Sequence, residues 1–331
     1  MSLFGDLEVH IDPWAVEYGP GFPAEADEEV RPEQVLLDVE SPLTSWRAIQ
    51  PTPASSSMAR CVVFVDGVQR IEARLIVTRE VLIAHGAFGS YAVGSVEIEN
   101  GAAAYGQWLV KRLVILASSQ SIPASVDLMP GVYYLPISTV GTNPQAPARM
   151  LHNEMRAEEE RFARELADDG DNLVILDGPL TFEEAVHGSA VGLVKRIFRL
   201  YLPPEGMDTV RRLAVGMRTP IFALRSTRRF ARYSWYLRVG SSRSGDSPFA
   251  GIVRLEVSEG VGLQRALALA DGTSLLLPAF ISQRGADPRA PQNLIPIGAL
   301  EARLRHLMGD PRLIRRNIES LIFRQARLRE V

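Results

Sequence analysis

Residues 147–180, PARMLHNEMRAEEERFARELADDGDNLVILDGPL, hold a helix-forming segment followed directly by a short apolar run. The first part contains good helix formers and no internal glycine or proline, so we predict a helix over 147–167 that the following DDG ends. The run NLVILD predicts a strand buried on both faces, which the next Gly-Pro pair stops. This helix-then-strand unit decides the fold class, because the rest of the chain must pack around a central strand.

Upstream, the chain changes character at Ala59, where strand-like segments replace an acidic, Pro-rich stretch. Consecutive strands without helices between them predict an antiparallel meander, formed by RCVVFVDG, IEARLIVT, YAVGSVEIE and WLVKRLVILA. Three or four strands, a helix and a central strand, with acids at the ends of the first and last strands, resemble the order of an RNase H-like core. We therefore predict a mixed α/β fold whose central mixed sheet is flanked by helices.

Downstream segments predict further strands and two closing helices. The strand-like segments are AVGLVKRIFRLYL, TPIFAL, SWYLRV and GIVRLEV, and the helical ones are ALEARLRHLMG and PRLIRRNIESLIFRQARL. Apolar runs such as SLLLPAFI are too short to span a bilayer, which needs about 20 residues. They predict additional buried strands.

The net charge of -3 hides an asymmetry between the start of the chain and the rest. Residues 1–45 carry eleven acidic side chains and one arginine, a balance of -10 that leaves +7 for the remainder. A body with that excess attracts polyanions, although charge alone does not identify one. We predict an acidic, Pro-rich arm over 1–58 and one folded domain over 59–331. The single cysteine and the acidic, Pro-interrupted start predict a cytoplasmic protein.

Two carboxylates directly follow an apolar strand and directly precede glycine. VVFVDG places Asp66 in this position, and LVILDG places Asp177 there. A strand end presents its side chain at the rim of a sheet, and glycine lets a phosphate or a metal approach the backbone. Because Mg²⁺ and Mn²⁺ prefer oxygen ligands, the pair predicts a divalent metal site. The alternative, that each Asp-Gly only opens a turn, is less favoured for two such pairs in this strand order.

The predicted helix offers a third carboxylate, but its periodicity does not select one. At 100° per residue, Glu158 and Glu159 fall at the two margins of the apolar stripe, and Glu154 lies farther off it but nearer the helix start. The competing interpretation is a solvated charge run paired with neighbouring arginines. Lys195 follows an apolar strand, where it either neutralises a phosphate or leaving oxygen or is an edge-strand lysine.

Residues 195–243 hold twelve basic side chains against two acidic ones, interleaved with aromatic residues. Arginine beside stacking rings is typical of a groove for single-stranded DNA, although many of these aromatic residues must lie in the core. The candidates for contact with DNA are Arg225, Arg228, Arg229, Arg232, Tyr236 and Arg238.

The chain resembles NurA-type nucleases over roughly residues 40–325. The segments that carry the resemblance, in order, are FVDGVQRIEARL, NLVILDGPL, VGLVKRIFRLYL, SWYLRV and QNLIPIGALEARLRHLMGD. It implies an RNase H-like, Piwi-related core, a homodimer, Mn²⁺- or Mg²⁺-dependent cleavage of DNA, and partnership with a HerA-type hexameric ATPase that feeds DNA ends. By motif it implies two metal-binding aspartates, a helical glutamate and a strand lysine: Asp66, Asp177, one of Glu154, Glu158 and Glu159, and Lys195.

One position departs from the family pattern, since PIGALE places Glu301 where many members carry a histidine. Either Glu301 supplies a further metal ligand, or the site is weakened. We expect a two-metal deoxyribonuclease, exonuclease or single-strand endonuclease, that processes DNA ends for double-strand break repair. The rivals are a non-catalytic DNA-binding adaptor of a translocase, for example in phage defence, and a Piwi-type guide-binding protein. The lack of a separate domain to anchor a guide disfavours the second rival.

Overall fold

Helices flank one large mixed sheet in the computed structural model, which confirms the predicted fold class. The model describes residues 8–11, 34–51, 60–79, 82–117, 125–141, 143–169, 172–180, 189–195, 201–226, 230–243, 246–283, 285, 287 and 289–327. The strands are β1 Glu8–Ile11, β2 Gln34–Leu36, β3 Cys61–Arg79, β4 Leu82–Glu99, β5 Ala102–Leu116, β6 Val126–Met129, β7 Val132–Ser138, β8 Asn172–Asp177, β9 Ala190–Val194, β10 Phe222–Arg225, β11 Arg232–Arg238 and β12 Ile252–Ser258. The helices are α1 Ala146–Ala167, α2 Pro204–Arg211, α3 Leu263–Leu276, α4 Ile295–Leu307 and α5 Pro311–Arg327.

The longest strand, β3, differs from the sequence prediction. We predicted two strands with a turn at DGVQR, but the structure has one strand of 19 residues. Pairing with β4 continues through the whole segment and is interrupted only by a bulge between Ile71 and Ala73. The bulge absorbs one extra residue and lets the strand continue past the polar segment. Asp66 therefore lies inside a strand rather than at its end.

The central strands are parallel, and they set the geometry of the sheet's middle. The sheet order is β2-β10-β11-β12-β9-β8-β3-β4-β5-β7-β6, with β1 paired to β3. Strand β3 pairs in parallel with β8, and β8 pairs in parallel with β9. Since β8 covers only residues 61–65 of β3 and β1 covers only 75–78, the described strands leave the edge of β3 open between them.

Alternating side chains of β3 contact helices on opposite faces of the sheet. Val63 and Val65 pack with α1, whose buried residues include Leu151. Phe64 packs in the cluster that includes α3, and Val68 packs against α4. The period of two thus buries both faces of the strand, as its near-continuous apolar start requires.

One predicted strand is helical in the structure. SLLLPAFI forms the end of α3 and a short 3-10 helix that follows it. A buried helix and a buried strand cannot be distinguished by periodicity in so short an apolar run. Within the described residues, no helix is both long enough and apolar enough to cross a membrane.

Two described parts of the N-terminal segment are attached to the body of the protein. Strand β1 pairs with β3, and β2 pairs with β10. Glu40 accepts hydrogen bonds from Arg218 Nη1 and Nη2, at 2.8 and 3.0 Å, and from the Ile221 amide. Because Arg218 is buried, this acidic residue of the segment compensates a cation inside the fold.

A charged cluster lies within the sheet beside the turn that follows β8. Glu256 on β12 is fully buried and accepts hydrogen bonds from Arg232 at 2.9 Å and Arg254 at 2.5 Å. Its Oε1 also accepts from the Leu180 amide at 2.7 Å. Burial raises the pKa of Glu256, but the two arginines and this amide outweigh burial and hold the pKa below its usual range. The cluster therefore ties β11 and β12 to the turn after Asp177.

We expect Glu256→Gln to lower the free energy of unfolding by about 3–5 kcal/mol, because it leaves two buried arginines without their carboxylate. Urea denaturation followed by circular dichroism measures this loss. Arg225→Ala is the matched control, since it removes an exposed arginine whose partner is the surface carboxylate of Glu259. An equal loss in both variants would contradict the structural role of the buried cluster.

Candidate metal centre

Asp66 is buried in the interior of β3 with one carboxylate oxygen unsatisfied. Its Oδ1 accepts a hydrogen bond from the Gly67 amide at 2.8 Å. Its Oδ2 has no hydrogen-bond partner among the described residues, and the residue is only 6% exposed. A buried, unsatisfied carboxylate oxygen is costly, so a native protein normally supplies it with a donor or a cation.

The parallel register places Asp177 beside Asp66. Val65 is the partner of Leu176, and each aspartate is the next residue of its strand. Asp177 ends β8, as predicted, and its Oδ2 accepts a hydrogen bond from Lys195 Nζ at 2.6 Å. Lys195 follows β9 directly and also donates to Asn293 Oδ1 at 2.7 Å.

Glu301 on α4 joins the two aspartates. Ligand atoms of Asp66, Asp177 and Glu301 all lie within 4.8 Å of one another. Three hard oxygen donors at this separation suit Mg²⁺ or Mn²⁺, which also accept water and phosphate oxygens. The residues present therefore fit a divalent cation, and the unsatisfied Asp66 Oδ2 is the atom that most requires one.

The structure distinguishes between the helix glutamates. The Glu159 carboxylate is buried and packs against Gly67, where any side chain would collide with it. It also raises the pKa of Asp66. The structure does not bring Glu158 into the group of clustered carboxylates, and its carboxylate is instead paired with Lys111 and Arg161.

Glu154 also lies on the Glu158 side of α1, since both carboxylates raise the pKa of Tyr91 in addition to its burial. Of the three candidates on the helix, Glu159 is thus the one whose charge, after burial and Asp177, raises the pKa of Asp66, although it is not one of the three carboxylates that lie within 4.8 Å of one another. The expectation that Glu158 is a catalytic or metal-binding residue is not supported by this geometry.

Burial, followed by neighbouring negative charges, sets the electrostatics of the acidic group. Burial first, then Asp177, Glu159 and Glu301, raise the pKa of Asp66 well above its ordinary value, against the opposing effect of Lys195. Burial also raises the pKa of Glu159, although Arg156 opposes this shift. A cation between these carboxylates would oppose the part of the shift at Asp66 that the neighbouring negative charges cause.

Three polar residues of the site were missed by the sequence analysis. Arg289 donates two hydrogen bonds to Glu301, and Asp287 accepts from both Arg289 and Asn293. For Glu301, burial raises the pKa, but Arg289 outweighs burial and the net shift is downward. These residues lie in the segment before α4, where neither periodicity nor motif spacing marks them. The only available signal was the polar pair Gln-Asn before the apolar LIPI.

A cavity of about 750 Å³ opens beside Glu301. It lies between the segment that precedes α4 and the first turns of that helix. Its lining residues are Ser282, Gln283, Asp287, Arg289, Ile295, Gly298, Ala299, Glu301 and Arg305. The acidic group is thus adjacent to a space that can admit a ligand.

The structure buries three of the residues predicted to contact DNA. Arg232 is part of the Glu256 cluster, and Tyr236 is a fully buried ring stacked on Phe222. Arg238 donates to backbone carbonyls, including those of Leu213 and Ala250 at 2.5 and 2.7 Å.

Of the other predicted groove residues, only Arg225 is described, and it is an exposed residue paired with Glu259. Arg228 and Arg229 lie outside the described residues. Fold-stabilising contacts therefore account for Arg232, Tyr236 and Arg238 among the described candidates.

Comparison with known proteins finds distant similarities only. No family model and no curated protein matches the chain. Among solved structures, the NurA nuclease from Sulfolobus solfataricus is similar at 10% identity and a TM-score of 0.42, over 82% of this chain and 88% of that one. The catalytic domain of human Endonuclease V is similar at 14% identity and a TM-score of 0.33, over 80% and 91%. The first belongs to the family that the sequence resembles, but both similarities are too distant to transfer a site or an activity.

Proposed function

We propose that this chain is a divalent-metal-dependent deoxyribonuclease, a phosphodiester hydrolase whose metal ligands are Asp66, Asp177 and Glu301. The observation that carries the proposal is the group of three carboxylates within 4.8 Å of one another, one of which has a buried, unsatisfied oxygen. The family resemblance of the sequence, given above, adds DNA as the substrate. When bound, Mn²⁺ or Mg²⁺ would supply Lewis-acid stabilisation of a phosphate and an acidified water.

Other residues of the chain have separate roles at the site. Glu159 adds negative charge from the α1 face of the sheet, where Gly67 leaves room for its carboxylate. Lys195 is the protein's cation at the site, held between Asp177 and Asn293. An ammonium fixed in this way can stabilise the negative charge that develops on a phosphate or on a leaving oxygen without reorganising.

Arg156, also on α1, holds Glu159 and the turn after Asp177 in place. Its guanidinium donates to Glu159 at 2.5 Å and to the backbone carbonyls of Asp177 and Pro179 at 3.1 and 2.9 Å. Gly178, at a φ of +112°, is the residue that can pass so close to this guanidinium, because an added Cβ would lie 3.1 Å from it. Arg156 is therefore a positioning residue for both the helix glutamate and the turn after Asp177.

The finer assignment follows from the sequence resemblance. We propose processing of DNA ends for double-strand break repair by a cytoplasmic homodimer that works with a HerA-type hexameric ATPase. The acidic arm, which DNA would repel, is the segment we assign to contact with the ATPase or the second subunit. Addition of a HerA-type ATPase to the cleavage assay tests this part separately from the chemistry.

The second candidate function, a non-catalytic DNA-binding adaptor, is favoured by one observation. Asp177, Glu159 and Glu301 each already have a basic partner on this chain, which are Lys195, Arg156 and Arg289. A site whose carboxylates are already neutralised by basic residues can be structural and need not bind a metal. An adaptor would bind DNA with strong salt dependence and would show no response to divalent cations.

We expect Asp66→Asn to reduce DNA cleavage at least about 100-fold, because it removes the central carboxylate of the metal site. End-labelled single- and double-stranded DNA in Mn²⁺, Mg²⁺ or EDTA provides the measurement. Asp127→Asn, which changes an exposed aspartate of β6, is the matched control and should retain full activity. Cleavage that persists in Asp66→Asn or in EDTA would contradict the proposal. DNA binding without cleavage in any condition would favour the non-catalytic adaptor.

The same variant should be more stable than the wild type in EDTA. The folded pKa of Asp66 lies above its unfolded value of about 3.9, so its ionisation costs the folded state stability as pH rises through the folded pKa. Asp66→Asn removes this cost, and we expect a gain in the free energy of unfolding that is largest at high pH.

Thermal denaturation in EDTA and in Mn²⁺ measures both effects. Wild type should gain about 2.7 kcal/mol at a Mn²⁺ concentration near 100 times Kd, and Asp66→Asn should gain far less. A wild-type Tm that Mn²⁺ leaves unchanged would argue against a metal site, whatever the cleavage assay shows.

A further inference from the structure

Arg289 is a partly exposed cation beside the site that is held by several hydrogen bonds. Its Nη1 and Nη2 donate to Glu301 Oε1 and Oε2 at 2.5 and 3.0 Å. Its Nε and Nη2 also donate to Asp287 at 3.2 and 3.3 Å, and its backbone amide donates to Asp287 Oδ1 at 2.8 Å. Nevertheless its side chain is 44% exposed and lines the cavity next to Glu301.

This pairing occupies the same atoms that a metal needs. Both oxygens of Glu301 accept from Arg289, and Oε2 also accepts from Arg305 at 3.1 Å. A divalent cation that binds Glu301 must therefore compete with a bidentate arginine for at least one oxygen. Because the carboxylate is only 8% exposed, water does little to weaken that competition.

Asp287 is held by a hydrogen bond that does not involve Arg289 or Glu301. It accepts a hydrogen bond from Asn293 Nδ2 at 2.6 Å, and Asn293 is fully buried. Asn293 Oδ1 in turn accepts from Lys195, whose second partner is Asp177. An Arg289 that releases Glu301 would thus remain attached to Asp287 at the cavity, with donors no longer engaged.

We propose that Arg289 is a DNA phosphate-binding residue that Glu301 holds while the site lacks metal and that a divalent cation releases toward the cavity. The proposal rests on the proposed function, because it takes Glu301 as a metal ligand and DNA as the substrate. Arginine is suited to exchange between a carboxylate and a phosphate, since its planar guanidinium can donate two parallel hydrogen bonds to the oxygens of either group. The cavity volume of about 750 Å³ is within the range of small-ligand sites and leaves room for one nucleotide beside the acidic group.

The exchange makes metal binding and DNA binding reciprocal. Metal at Glu301 frees the arginine for phosphate, and phosphate on the arginine frees Glu301 for metal. By linkage, each ligand then tightens the other by the same factor. A general electrostatic contribution from nearby cations would not make the coupling between metal binding and DNA binding depend on Arg289 alone.

The first test titrates MnCl₂ into the full chain without DNA by isothermal titration calorimetry. Arg289→Met should bind Mn²⁺ about tenfold more tightly than wild type, since Glu301 no longer has to be freed. Arg305→Met is the control for charge, because it also removes one cation beside Glu301 but only one hydrogen bond from a 60% exposed side chain. It should change the affinity by at most about twofold.

A double-mutant cycle tests whether the effect passes through Glu301. In a Glu301→Gln background, Arg289→Met should add no further gain in Mn²⁺ affinity. Equal gains from the Arg289 and Arg305 variants, or an undiminished gain in the Gln background, would reduce the effect to net charge and overturn the proposal. An unchanged or weaker Mn²⁺ affinity in Arg289→Met would overturn it as well.

The second test measures the anisotropy of a short fluorescein-labelled single strand with phosphorothioate linkages. Wild type should bind the strand more tightly in Mn²⁺ than in EDTA, and Arg289→Met should lose about tenfold in affinity in Mn²⁺ but little in EDTA. Equal affinities of the two proteins in Mn²⁺ would overturn the phosphate-binding role. Failure of the proposed function is distinguishable, because then wild type itself would bind no Mn²⁺ or would cleave no DNA.

Discussion

The parallel pairing of β3 with β8 and of β8 with β9 is the constraint from which the site follows. Parallel register sets Asp66 and Asp177 side by side, and it places Lys195 directly after the next strand. Two carboxylates in a buried space repel each other, and burial removes the water that would otherwise solvate them. The surrounding polar network offsets this repulsion at Asp177, Glu159 and Glu301.

The sequence predicted the two aspartates because each stands in the same local setting, an apolar run before and a glycine after. That pattern described β8 correctly, since β8 ends at Asp177. It was wrong about the end of the strand at Asp66, because strand β4 pairs with β3 far beyond it. A motif records the local chemistry, whereas the length of a strand depends on a partner that lies elsewhere in the chain.

The remaining site residues depend on contacts that helical or strand periodicity does not encode. Helical spacing placed Glu158 and Glu159 at the two margins of the apolar stripe of α1, which are equivalent by periodicity. The choice between them depends on Gly67, whose lack of a side chain leaves room for the Glu159 carboxylate. The basic, aromatic region of residues 195–243 predicted a DNA-binding groove, because arginines such as Arg232 interleaved with aromatic residues such as Tyr236 are typical of such a surface. Glu256, which buries Arg232, is far away in sequence, so only the fold shows that this arginine is structural.

The distribution of basic partners explains why Asp66 differs from the other acids of the site. Asp177, Glu159 and Glu301 are each matched by a lysine or arginine, so most of the acidic charge is compensated within the chain. Asp66 has only a backbone amide for one oxygen, and its other oxygen has no partner among the described residues. A fold that compensates three carboxylates but leaves a buried oxygen of the fourth unsatisfied is more consistent with an exchangeable cation than with a purely structural cluster. Arginine partners also favour exchange, because a guanidinium can transfer from a carboxylate to a phosphate without losing its hydrogen-bonding geometry.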